Sequence, residues 1–169
     1  MTDSGKSAKE VSPDQNQALV TFTARVIMVI AVGLSLYQLY TAGVVALTAL
    51  VQRSIHLGAI LTLVFLIRPV FPGARKNKLS VWVVLDWVLA GLSVYCTYYI
   101  CVNLSDIFDR QGDWLFQDRV VSILGVLLVL EACRRVIGIF MTLICALSIT
   151  YAMLGPYMPE LIIHKGYSI

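Results

Sequence analysis

Residues 51–102, VQRSIHLGAILTLVFLIRPVFPGARKNKLSVWVVLDWVLAGLSVYCTYYICV, decide the fold. They hold two apolar runs, about 51–71 and 81–102, joined by a basic linker. The first run opens with Gln52, Arg53 and His56 and closes with Arg68 and Pro69, so polar groups flank an uninterrupted apolar middle. The second carries Trp82 and Trp87 near its start and Tyr95, Tyr98 and Tyr99 towards its end, the aromatic placement of two membrane interfaces. A bilayer core about 30 Å thick asks for roughly 20 apolar residues per helical crossing. Each run supplies that length. Pro69, Pro72 and Gly73 stop the first helix, and Arg75, Lys76 and Lys78 follow with no acid among them. The positive-inside rule places this linker in the cytoplasm, so the run at 81–102 leads outward.

The rest of the chain extends the pattern. Of 169 residues, 59% are hydrophobic and 14% charged, against about a quarter charged in soluble domains, and the mean hydropathy is +0.81. The expected fold is an all-α membrane helical bundle with four or five crossings. Residues 22–45 give a first crossing, with Arg25 near its start and Gln38 and Tyr40 near its end. Residues 1–21 are polar and mixed in charge, which reads as a disordered cytoplasmic tail. The segment 103–119, NLSDIFDRQGDWLFQDR, sets Asp106, Asp109, Asp113 and Asp118 against Arg110 and Arg119, an acidic bias that suits an outer loop. Counting back from the basic linker puts the amino terminus in the cytoplasm, in agreement with Lys6, Lys9 and Arg25.

Residues 120–154 are harder to read. Eleven largely apolar residues precede Glu131, Ala132, Cys133, Arg134 and Arg135, and apolar sequence resumes from Val136 to Leu154. One helix of that length would measure about 50 Å at 1.5 Å per residue, too long for one crossing. The expected division is a short fourth crossing at about 119–136, whose arginines snorkel to the surface, and a fifth at 137–155. A re-entrant or surface-lying segment at 119–133 stays open as the competing reading. The domain plan is a tail at 1–21, a four-helix membrane domain at 22–136, a fifth helix at 137–155 and a second tail at 156–169.

Charges near membrane spans are costly and each needs an account. Asp86 lies about six residues into its run, and the topology brings Glu131, Arg134, Arg135 and Arg68 to a similar depth. Glu131 stands three and four residues before the two arginines, at helical pairing distance. The candidate site is therefore a helix clamp or subunit interface made by Asp86, Glu131, Arg134 and Arg135. Arg53 and His56 form a second candidate, a polar patch one turn apart that could meet the acidic outer loop. Two readings compete for the first group, a clamp and plain snorkelling. No nucleophile–base pair, carboxylate pair or phosphate-cradling glycine loop has usable spacing, so neither catalysis nor a cofactor is expected. Cys96, Cys101, Cys133 and Cys145 form no C-x-x-C pair and read as small buried hydrophobes rather than a metal site. The net charge of +3 is spread in short clusters, which excludes a nucleic-acid footprint. The glycines show no G-x-x-x-G spacing within a span.

The segment VLEACRRVIG, residues 129–138, is followed by an apolar span and then by GPYMPELIIHKGYS, residues 155–168. These stretches, with QRSIHLGAILTLVFLIRP at 52–69, resemble the amino-terminal part of fused permeases of tripartite ATP-independent periplasmic (TRAP) transporters of the TAXI-type branch. They cover about a third of the chain. The resemblance implies a multi-pass subunit of a prokaryotic cytoplasmic membrane, serving secondary uptake of organic acids. It also implies a large TRAP permease subunit as partner, fed by an extracytoplasmic solute-binding protein, with the small four-helix part as scaffold and 137–155 as the connecting helix. Only Glu131, Arg134 and Arg135 match a family signature, with Arg53 and His56 a looser match. The family's ion and substrate residues have no counterpart here, since the sequence stops at Ile169. The chain is expected to be either a separate small subunit or the amino-terminal part of a fused permease. A rival class is a small membrane-embedded enzyme acting on a lipid-linked substrate, with Asp86, Glu131 and the arginines around the headgroup.

Overall fold

The computed structural model describes residues 13–45, 47–70, 81–110 and 113–154. They form five helices: α1 (Pro13–Gly43), α2 (Ala49–Ile67), α3 (Val81–Asp109), α4 (Phe116–Val136) and α5 (Ile139–Met153). No strand occurs among the described residues. Three helices, α1 from Val20 onward, α2 and α3, are long and apolar enough to cross a membrane. The 21-residue α4 carries Asp118, Arg119, Glu131, Arg134 and Arg135, which lowers its hydropathy. The apolar α5 has 15 residues, or about 22 Å at 1.5 Å per residue.

Local sequence explains most boundaries. Proline suits a first helical position because its missing N–H would have no intrahelical acceptor there. Pro13 is the first described residue of α1, so the stretch from Pro13 to Thr21, expected within a disordered tail, is helical; residues 1–12 lie outside the described ones. α2 stops at Ile67 because Arg68 precedes Pro69, and a pre-proline residue is pushed out of the helical region; Arg68 is extended at φ −107°, ψ 93°. α3 does not stop near Val102 as expected but runs 29 residues to Asp109, about 43 Å. Asn103 helps to continue it, donating to the Tyr99 carbonyl one turn back at 2.9 Å. The acidic outer loop is correspondingly shorter than the sequence suggested. The basic linker at 71–80 and the tail at 156–169 lie outside the described residues.

α2 is the hub. It packs against α1, α3 and α4, and its contact with α3 is the most extensive in the bundle. On each helix the inward residues recur every three or four positions, as one face of a helix must. On α1 these include Val26, Ile27 and Ile30, on α3 Asp86, Ala90, Ser93 and Cys96, and on α4 Asp118, Val121, Leu128 and Ala132. Leu61, Phe65 and Leu66 of α2 complete the core. Phe22 of α1 stacks on Trp87 of α3 at 6.0 Å. The opposite faces present large apolar side chains outward, on α5 without exception for its largest residues. An exterior of this kind suits lipid.

The closeness of α2 and α3 comes from small residues. Ser54, Gly58 and Thr62 recur every fourth position on α2 and face Ser93 and Thr97 of α3. A Cβ added at Gly58 would collide with the Thr97 side chain. The hydroxyls of Thr62, Ser93 and Thr97 donate to the carbonyls of Gly58, Leu89 and Ser93 one turn back, at 2.8, 2.9 and 2.9 Å. Burying them therefore leaves no donor unmet. The sequence pattern was present as small-x-x-x-small, and a search for glycine pairs alone passes over it.

Between α4 and α5 the chain turns at Gly138, whose φ of +116° and ψ of 174° belong to a region only glycine occupies without strain. Its N–H donates to the Cys133 carbonyl at 3.2 Å, closing α4, and its own carbonyl accepts from the Thr142 hydroxyl at 3.1 Å, opening α5. The interruption expected at 136–137 is thus a single-glycine turn, and among the described helices α5 packs against α4.

Candidate functional site

The antiparallel order of α2, α3 and α4 brings the end of α2, the start of α3 and the end of α4 to one end of the bundle. Arg135 of α4 is the centre of what they form. Its side chain is 1% exposed. Nη1 donates to Asp86 Oδ1 of α3 at 2.6 Å and to the Arg68 carbonyl at the end of α2 at 3.0 Å. Nε donates to Glu131 Oε1 at 2.8 Å, and the guanidinium lies 4.9 Å above the ring centre of Phe65, a fully buried α2 residue. Phe65 thus adds a cation–π contact in a desolvated setting.

Glu131 holds both arginines. Arg134 grips it in a fork, Nε to Oε2 and Nη2 to Oε1, each at 2.8 Å. This geometry matches guanidinium to carboxylate in two parallel hydrogen bonds. The structure therefore brings together Asp86, Glu131, Arg134 and Arg135. Arg68 joins through its carbonyl, not its guanidinium. Arg135 Nη2 is buried without a hydrogen-bond partner among the described residues, so the group depends heavily on the bonds it does make.

A second polar tie closes the opposite end of α3 and α4, and it was not singled out from the sequence. Tyr99 donates its hydroxyl proton to Asp118 Oδ1 at 2.5 Å. Asp118 Oδ2 accepts from the Leu115 backbone N–H at 3.1 Å and lies 3.6 Å from Arg110 Nη2. The Tyr99 hydrogen bond, helped by the Leu115 N–H and the Arg110 charge, holds the Asp118 carboxyl below its ordinary pKa of 3.8, against the opposing effect of burial. The available signal was the acid at the third position of α4, where a carboxylate caps free N–H groups. It was masked by the three other acids of the same segment.

Arg53 and His56 stand apart from both ties, near the start of α2. His56 Nδ1 meets Gln38 Nε2 of α1 at 2.5 Å, and Arg53 has no ion-pair partner among the described residues. The expected encounter with the acidic segment is not formed: the cleft they line is shared with Gln38, Ala49 and Gln52.

One further feature lies at mid-depth, a groove of about 680 Å³ between α2, α3, α4 and α5. Its walls are apolar or small, among them Gly58, Cys96, Gly125 and Cys145. All four cysteines are free thiols.

Chemically, most of the bonds in the ionic group run between its own members. Both Glu131 oxygens are held by arginines and Asp86 faces a buried guanidinium. A general base needs a lone pair within reach of a substrate proton, and these carboxylates direct theirs at arginine. The bonds join α4 to α3 and to the end of α2. No protein-family model, curated protein or solved structure matches the chain. Fold and site define an all-helical protein with three helices suited to crossing a membrane and an ion-paired latch joining two of them to a fourth helix.

Proposed function

We propose that this chain is a non-catalytic membrane subunit that scaffolds a larger transport partner, with five crossings and its amino terminus in the cytoplasm. The observation that carries the reading is the Asp86–Arg135–Glu131–Arg134 group, whose charges pair with one another across α3 and α4. The outward apolar faces of α1 and α5 and the groove beside α5 support it, because a partner's helices would find small residues there to pack against. The resemblance of residues 52–69, 129–138 and 155–168 to TRAP permeases supplies the more specific version. In that version the partner is a large TRAP permease subunit, supplied by an extracytoplasmic binding protein and taking up organic acids across a prokaryotic inner membrane.

For α4 as a crossing, the support is spacing. Asp118 and Arg135 occupy one face of α4 and are 17 positions apart, about 26 Å at 1.5 Å per residue, close to the thickness of a hydrocarbon core. Each is tied to α3 at a different end, so α4 runs alongside α3 over most of its length. Ties at both ends of α4 favour a crossing over a surface-lying helix. Two measurements test the reading. In a background with the four cysteines replaced by alanine, Trp114→Cys and Ile137→Cys are expected to react with a membrane-impermeant thiol reagent from opposite sides; reaction from the same side would remove the fourth crossing. The tagged chain, extracted from its native membrane in mild detergent, is expected to carry a multispanning permease in fixed ratio. Recovery of a monodisperse, heat-stable chain alone would rule out the scaffold reading.

A further inference from the structure

At the start of α2, the cleft shared with the end of α1 has a volume of about 470 Å³ and is lined by Gln38, Ala49, Gln52, Arg53 and His56. No Asp or Glu is among them. Gln38 Nε2 lies 2.5 Å from His56 Nδ1; with the amide as donor, Nδ1 accepts and the ring N–H left to face the cleft is that of Nε2. Gln52 uses one amide N–H on Thr41 Oγ1 at 3.4 Å and keeps a second. Arg53 contributes five donors and the single formal charge, with no carboxylate paired to it among the described residues. The Thr48 side chain makes no capping bond to α2, so the positive end of that helix faces the same side. Arg53 and His56 are exposed at the cleft, and with no ion-pair partner for Arg53 among the described residues its guanidinium is open to an anionic group from outside.

The geometry points to an oxyanion site: the cleft takes one phosphate or carboxylate group, with Arg53 supplying the charge and His56 Nε2–H and Gln52 supplying directed hydrogen bonds. Two sources share that chemistry, the phosphate of an anionic phospholipid and a dissolved carboxylate or phosphate ion. The site is independent of the scaffold reading, since it needs no partner subunit.

The test is the thermal unfolding of the intact chain in a neutral maltoside detergent, titrated separately with short-chain phosphatidylglycerol, inorganic phosphate and succinate. At least one of them is expected to raise Tm in a saturable way, and Arg53→Gln is expected to weaken that response by about tenfold or more, the effect of losing a charge-assisted contact. A response to phosphatidylglycerol alone assigns the site to lipid; a response to phosphate or succinate assigns it to a soluble anion. No response to any of the three, or an undiminished response in Arg53→Gln, overturns the proposal. Should that variant fail to fold, His56→Gln is read in the same way. The nitrogen-15 spectrum of the unliganded wild type, with the His56 signal identified by its loss in His56→Gln, is expected to show the Nε2–H tautomer. The Nδ1–H tautomer would remove the donor set and the proposal with it.

Discussion

Asp86→Ala is expected to destabilise the folded bundle by about 3 to 5 kcal/mol, the usual effect of removing one partner from a buried ion pair. Both side chains are well shielded, at 10% exposure for Asp86 and 1% for Arg135, so solvent screening reduces the figure little. The loss arises mainly on the arginine. Nη1 would keep only the Arg68 carbonyl, while Nη2 already has no partner among the described residues. Glu131 already accepts from Arg135 Nε and from both donors of the Arg134 fork, and these bonds do not replace the one lost at Nη1. The double variant Asp86→Leu with Arg135→Leu is expected to recover most of the stability, since replacing both charges of a buried pair by apolar groups is often nearly neutral. Glu131 keeps Arg134 in that variant. Unfolding in mixed micelles of mild detergent and dodecyl sulfate reads both effects. A loss below about 1 kcal/mol in Asp86→Ala, the range of an exposed pair, would show that the latch does not hold the helices.

Gly58→Ala is expected to lower stability by about 1 to 3 kcal/mol, as overpacking does in a close-packed interior, and Gly58→Leu to exceed that. A methyl group at this position meets both Oγ1 and Cβ of Thr97. A rotamer change of Thr97 cannot move its Cβ, so α2 and α3 would have to separate. The compensating variant follows from the same geometry. Thr97→Ala in the Gly58→Ala background removes the severe Oγ1 overlap and leaves only the milder Cβ contact, so it is expected to restore part of the loss, and Thr97→Gly removes every colliding atom. The same unfolding assay applies. Full stability of Gly58→Ala alone would mean that the α2–α3 contact is looser than the structure has it.

What the sequence reveals and conceals here follows from the range of each interaction. The Glu131 pairings are local, three and four residues along one helix, and spacing alone displays them. Apolar runs bounded by Gln52 and Pro69 or by Trp82 and the tyrosines give α2 and α3 to within a few residues at three of their four ends. The fourth end, that of α3, is concealed because Asn103, Ser105 and Asp106 read as loop residues while the helix continues beneath them. The Asp86–Arg135 bond joins residues 49 positions apart; sequence brings the two to a common depth, and only packing decides which arginine reaches the acid. Tyr99–Asp118 is of the same kind. Tyr99 reads as an interfacial aromatic and Asp118 as one of several loop acids, and nothing local couples them. The helical stretch from Pro13 is hidden by polar composition, since a helix that continues an apolar one needs no apolar residues of its own.

The glycine turn at 138 divides the molecule by cooperativity. The middle of the chain, α2, α3 and α4, shares one core and is tied at both ends, so its amides should exchange together, at the free energy of global opening. Among the described residues, α5 contributes no buried one and packs against the other helices through α4. It can detach about the turn while the ties of Asp86 and Asp118 stay closed. Such a helix behaves as a separate foldon with its own, lower protection against exchange. A perturbation felt along α5 would then be absorbed at Gly138 rather than passed to the latch, whose Arg135 lies three residues before it on α4's last turn.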